Sequence, residues 1–360
     1  MPKQIIKVEA GKKTLSGKHL SRRRFLCAAG FGAAFPVPAH GAEAEQAPKV
    51  ITVRGPVPAS KLGVTLTHEH VMVDFIGADK VSRDRYDPEE VFRAVLPHLK
   101  SIYRQGCRTL IECTPAYLGR DVQLLERLSK AGGVRLLTNT GYYGAADDKS
   151  IPPHAYRETA DQLAGRWIEE FRSGIEGTKI RPGFIKTGVD RGSLSPIDAK
   201  LVRAAAIAHR STGLTIASHT GDGKAALEEL DILREEGVAP QAFVWVHAQN
   251  EARTDVHLEA AARGAWISCD GIRPESLDRH LNLVRFLIDR GRIGSILISQ
   301  DAGWYRVGEP GGGKFRPFDF LFLEFLPKLR QSGVSESQIR TIMVGNPARA
   351  FALGKRLLGK

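Results

Sequence analysis

Cysteine is scarce in this chain, with four in 360 residues. Cys27 stands alone near the start. Cys107, Cys113 and Cys269 form no close pair, which excludes a disulfide framework and a C-x-x-C zinc site and leaves them as small buried hydrophobes. No 20-residue apolar run is present, so no membrane-spanning helix is expected. Low-complexity tracts are absent as well. Aromatic residues are only 7% of the chain, beside 42% hydrophobic and 26% charged, an ordinary globular balance. Acid is the short side of the charge count: 40 Asp and Glu face 52 Lys and Arg, a formal +12. Such an excess suits a nucleic-acid partner only if it lines a binding face. Here it is concentrated at the front, where residues 1–42 hold eight Lys and Arg against the single acid Glu9, and it leaves about +5 for the body. No basic helix or basic-aromatic run remains to track phosphates, and a nucleic-acid partner is not expected.

The front has a different logic. Ser21-Arg22-Arg23-Arg24-Phe25-Leu26 follows the twin-arginine export pattern. A modestly apolar stretch, Phe25 to Pro38, and small residues around Ala39 to Ala44 complete a cleavable signal. Residues 1–44 are therefore assigned to export and residues 45–360 to one folded domain, with a periplasmic or secreted destination. Arg24 stands where a lipobox would need an apolar residue, so Cys27 is not expected to carry a membrane anchor.

From Ile51 onward, short β-rich runs alternate with amphipathic helical patterns, the signature of parallel βα units. Eight runs are legible, covering residues 64–70, 108–113, 134–140, 183–187, 214–219, 242–247, 265–269 and 295–300. Helix starts are marked by Asp87-Pro88-Glu89-Glu90, Ser195-Pro196-Ile197-Asp198 and Pro274-Glu275-Ser276. Eight units in about 300 residues predict a (β/α)8 TIM barrel. The alternative, an open doubly wound sheet, would be favoured by a Gly-x-Gly-x-x-Gly after the first run, and none is there.

Active sites of such barrels lie where the strands end, at their C-terminal face. The ends of these runs are chemically unusual. The first closes on Thr67-His68-Glu69-His70, the fourth on Lys186, the fifth on His219, the sixth on His247 and the eighth on Gln300-Asp301. On an extended strand His68 and His70 point the same way, two residues apart, so both imidazoles reach one metal ion. That spacing differs from the helical His-Glu-x-x-His of zinc proteases, whose ligands stand four positions apart. The competing reading of any one such histidine is a satisfied buried imidazole, but the set converges on one rim. His19, His40, His98, His154, His209, His257 and His280 fall in tail, helix or loop contexts and read as ordinary surface residues.

The pattern resembles the phosphotriesterase family of the amidohydrolase superfamily across nearly all of Val50 to Leu353. The matching stretches are Gly63 to His70, Gly119-Arg120-Asp121-Val122, Gly183-Phe184-Ile185-Lys186, Ala217-Ser218-His219-Thr220, Asp301 and Gly345-Asn346-Pro347. The resemblance implies two divalent metal ions, zinc first among them, about 3.5–4 Å apart. His68, His70 and Asp301 would hold the more buried ion, His219 and His247 the more exposed one. Lys186 would be carboxylated by CO2 and bridge the two, because a carbamate is an anionic ligand where an ammonium is not. A hydroxide shared by the ions would attack the substrate, the pKa of bound water falling from 15.7 to about 7. Asp301 would take up the proton, with no covalent intermediate.

The implied substrate is a small ester: a lactone or other carboxylic ester first, a phosphotriester as the alternative, with a non-catalytic periplasmic binding barrel as a reading of another class. A homodimer is a further expectation from the resemblance. Lactonase-like members carry a tyrosine over the metals, and Tyr143 in Thr140-Gly141-Tyr142-Tyr143 matches that place, with Tyr142 beside it as a substrate contact. Three departures from the family pattern bear on the site. Gln300 stands where a histidine is common, Asn250 where an aspartate follows the sixth-strand histidine, and Asp270-Gly271-Ile272-Arg273 displaces the usual arginine after the seventh strand. Arg273 and Trp304 are further candidates for substrate contact. The segment from Gly303 to Arg316 is long enough to form a lid or a plain loop.

Overall fold

A computed structural model describes residues 47–359; the export signal assigned to residues 1–44 lies outside the described residues. Twelve strands are present among them. A hairpin of β1 (Lys49–Thr52) and β2 (Gly55–Pro58) precedes the barrel. The barrel strands are β3 (Val64–Val73), β4 (Cys107–Glu112), β5 (Arg135–Leu137) with β6 (Asn139–Thr140), β7 (Phe184–Val189), β8 (Ile216–Thr220), β9 (Phe243–Val246), β10 (Trp266–Cys269), and β11 (Ile296–Ile298) with β12 (Gly303–Arg306). These are the eight runs expected, with the third interrupted at Thr138 and the eighth continued beyond Asp301.

All barrel pairs are parallel, in the orders β12-β3-β4-β5 and β6-β7-β8-β9-β10-β11. The ring closes between the eighth and first strands, where Asp301 N donates to His68 O at 3.1 Å and His70 N to Ala302 O at 2.9 Å. Closure leaves no open sheet edge in the barrel. Helices alternate with the strands as the start signals require. Pro88–Arg104 begins after Asp87, whose side chain accepts from Glu89 N, and Pro196–Thr212 begins with a Ser195/Asp198 capping box.

Side chains fill the barrel interior. Val50, Leu62, Ile111, Cys113, Leu137, Phe184, Val244, Leu297 and Phe351 form one buried cluster, with Phe184 edge-on to Phe351. A larger apolar shell lies between strands and helices. A packed floor leaves only the C-terminal mouth for chemistry. Cys107, Cys113 and Cys269 are free and buried, as expected.

His209, His257 and His280 are not surface residues: each is buried in a helix and bonded through one ring nitrogen to a carbonyl, of Leu214, Ala248 and Ser276 respectively. A neutral imidazole with one satisfied N–H packs as a core residue. The segment from Gly303 is also tied down rather than free. It opens as β12 on β3, Gly303 and Arg316 exchange backbone hydrogen bonds at 2.8 Å, and Tyr305 OH donates to Glu90 at 2.7 Å. Gly303 is required there, with φ +98° and no room for a Cβ against His70 O.

Candidate metal centre

Alternation along β3 sends His68 and His70 to one side, as the sequence requires, and strand closure brings Asp301 beside them. His68 Nε2 and His70 Nε2 are 3.3 Å apart. Asp301 Oδ1 lies 3.6 Å from the first and 3.3 Å from the second. Among the described residues these three form the group whose ligand atoms converge as a cation site requires. The donor set fits a metal on its own chemistry. Thr114 Oγ, which donates to Met72 O, stands 2.9 Å from His70 Nδ1 and is free only to accept from it. The His70 proton is therefore on Nδ1, and Nε2 turns a lone pair toward His68 and Asp301. Asp301 Oδ1 is buried and makes no hydrogen bond. The His70 Nε2 lone pair and an unpartnered buried carboxylate oxygen, meeting beside His68 Nε2, are what a divalent cation satisfies.

His247 and His219 adjoin this trio. The His247 ring is 4.9 Å from that of His68 and 4.4 Å from that of His219. Lys186 is buried on β7; its Nζ donates to Thr187 O at 3.0 Å and stands 5.1 Å from the Tyr143 ring. Tyr143 OH meets His219 Nδ1 at 3.1 Å. Gly188 makes room for that ring, since a Cβ there would stand 2.8 Å from it. The structure thus gathers His68, His70, Lys186, His219, His247, Asp301 and Tyr143 at one mouth.

Burial sets the protonation of the site. It pushes His68 and His219 well below the ordinary imidazole value, and it lowers Lys186 too, toward the neutral amine. Burial acts to raise Asp270, but the His247 and His68 imidazoles hold it well below the usual carboxylate range. Burial likewise acts to lower His247, while the Asp270 and Asp301 carboxylates carry it above its ordinary value. His247 (φ +62°) and Asp301 (φ +53°) both adopt left-handed backbone, a strained conformation concentrated at functional sites.

Several site residues were not legible in the sequence. Asp270 directly follows β10 and places Oδ1 2.6 Å from His247 Nδ1. Gln249 and Thr114 hold Asp270 and His70. Glu69, between the two histidines, points the other way and accepts from Ser299 Oγ, Gln300 N and Ala302 N. Alternation excludes Glu69 from the mouth, but nothing local names its partners.

Other candidates are placed elsewhere. Tyr142 turns from the cluster, its OH on His154 Nε2 at 3.0 Å and its ring edge-on to Trp167, because neighbours on extended backbone face opposite ways. Arg273 is exposed, with its guanidinium 3.8 Å from Glu275. Asn250 is exposed as well. Gln300 does not occupy the mouth; its side chain ties Phe318 O and Leu321 N. Trp304 does lie at the rim, 4.5 Å from the His70 ring and stacked on half-exposed Phe75.

The sequence profile of the phosphotriesterase family matches residues 48–351. A phosphotriesterase homology protein of Escherichia coli is 29% identical, covering 80% of this chain and 98% of its own. The aryldialkylphosphatase of Saccharolobus solfataricus is 29% identical, over 82% and 97%. The N-acetyltaurine hydrolase of Danio rerio is 26% identical, over 84% and 97%. A solved mutant of an organophosphorus hydrolase from Deinococcus radiodurans superposes with a TM-score of 0.77 at 27% identity, over 85% of this chain and 98% of that one.

Proposed function

The chain belongs to the phosphotriesterase family, and we propose that within it this protein is a hydrolase that uses two divalent metal ions to cleave a carboxylic ester, a lactone first among them. The observation that carries the reading is the convergence of His68 Nε2, His70 Nε2 and Asp301 Oδ1 within 3.3–3.6 Å of one another. In this reading those three hold one ion, and His219 with His247 the other. Lys186, as its CO2 carbamate, would add an anionic donor to the same cluster. Zinc suits imidazole and carboxylate donors. When bound, the ions supply Lewis acidity toward a carbonyl or phosphoryl oxygen and bring the pKa of water toward 7.

The chain's own groups supply the rest. Asp301 keeps Oδ1 in the cluster while its side chain stays 24% exposed, a position from which a carboxylate can take up a proton and return it to solvent or a leaving oxygen. Tyr143 covers Lys186 and reaches His219, so its hydroxyl stands where a substrate's polar end arrives. Trp304 and Phe75 offer an apolar wall beside His70. The name of the N-acetyltaurine hydrolase relative supports acyl chemistry at such a site. The names of the aryldialkylphosphatase and the organophosphorus hydrolase favour a second reading, a phosphotriester substrate. Export through the twin-arginine signal belongs to the same proposal, since that route carries folded, metal-loaded proteins.

The test is proton release in a pH-stat from the zinc-loaded protein, offered lactones, simple esters and an aryl phosphotriester, with Asp301→Asn beside it. Lactone turnover well above triester turnover, reduced about 100-fold or more in the variant, is the expected result. The reverse ranking selects the phosphotriester reading. Silence across the panel rejects both.

A further inference from the structure

His247 is held by a carboxylate that is itself held by an amide. Gln249 lies in the single helical turn Ala248–Asn250 that follows β9, and it is 6% exposed. Its Nε2 donates to Asp270 Oδ1 at 3.2 Å, and its Oε1 accepts from the Asp270 backbone N at 3.1 Å. The two ends of one side chain thus clasp both the carboxylate and the main chain of one residue. The other Asp270 contacts are the His247 ring through Nδ1 at 2.6 Å, the Ser268 hydroxyl at 2.7 Å and the His247 backbone N at 3.1 Å. Every partner of this carboxylate is a donor, which fixes it as an acceptor and puts the His247 proton on Nδ1. The lone pair is left on Nε2, the nitrogen that a metal needs.

Support of this kind differs across the cluster. His70 is oriented by Thr114, on a different strand end. His68 Nδ1 is 3.6 Å from Asp270 Oδ2, beyond hydrogen-bond length. Releasing Asp270 therefore bears first on His247. Gly271 keeps the seat of the amide open, because a Cβ there would stand 2.7 Å from Gln249 Nε2.

We propose that Gln249 is a positioning residue for one metal of the pair: by locking Asp270 it presents His247 to the ion shared with His219, and its loss weakens that ion relative to the one held by His68, His70 and Asp301. This rests on the two-ion reading above. The test counts zinc on the intact protein by elemental analysis during a graded EDTA challenge, in the parent, Gln249→Met and Gln249→Glu. Met keeps the length and removes both hydrogen bonds. Glu keeps the acceptor and sets a second anion against Asp270, so it tests the same contact should Met perturb folding. The expected result is one ion retained with parental affinity and the other weakened about 10–100-fold in both variants. Two ions held as in the parent, or both lost in parallel with the melting temperature, would assign Gln249 a purely structural part and overturn the proposal. A parent that binds no zinc would instead remove the two-ion reading, and the proposal with it.

Discussion

Glu69 and Ser299, 230 residues apart in sequence, are joined by a hydrogen bond of 2.7 Å in which the serine hydroxyl donates to Oε1. The same hydroxyl accepts the backbone N–H of His68 at 3.0 Å. Since Glu69 also accepts from Gln300 N and Ala302 N, it fastens the strand that carries His68 and His70 to the strand that carries Asp301.

Glu69→Gln follows as a test of that fastening. All three partners are donors, so an amide NH2 must face at least one of them. The expected cost is about 1–3 kcal/mol of stability, read from urea unfolding. Stability equal to that of the parent would mean that strand pairing alone closes the barrel at this seam.

Tyr143→Phe keeps the ring over Lys186 and removes only the hydroxyl on His219. The variant should fold as the parent does. Its kcat/KM toward the best ester should fall about 5- to 10-fold, the equivalent of one hydrogen bond. Parental kinetics would reduce Tyr143 to a wall of the mouth.

Removing metal should destabilise the protein, because the converging donors exist only in the folded chain. Zinc returned at 100 times its Kd should restore about 2.7 kcal/mol, visible as a rise in Tm by calorimetry. Identical melting of stripped and reloaded protein would count against His68, His70 and Asp301 as a metal site.

Glu229 predicts a pH dependence of stability. It is buried behind β8, accepts from Thr220 Oγ at 2.6 Å, and burial raises it from 4.5 to about 8. A carboxyl raised on folding holds a proton that the unfolded chain releases, so its contribution is full below pH 4.5 and is lost as pH rises toward 8. Glu229→Gln stays neutral throughout. Relative to the parent it should gain up to about 1.4 kcal/mol per pH unit across that window, measured by denaturant titration at several pH values. A constant difference between the two proteins would show that Glu229 ionises normally.

Much of this was readable from residue order. Alternation and strand ends are local properties, so Leu66, His68 and His70 declare their shared face, and eight strand-like runs with capped helices between them declare a barrel. The interior histidines of the helices were misread for the opposite reason. His209, His257 and His280 find their acceptors in Leu214, Ala248 and Ser276, close in sequence, yet their burial depends on which helix face the barrel covers.

By itself, then, the order of residue types determined which side chains share the rim, because a strand of known direction delivers its last residues there. Only the tertiary structure decided which nitrogen of His70 and of His247 is free, that Asp270 and Gln249 stand behind His247, and that Glu69 binds the eighth strand. Those contacts join residues from 21 to 233 positions apart: pairing of the neighbouring strands β9 and β10 brings Gln249 to Asp270, and closure of the ring brings Glu69 to Ala302, and no local window contains either.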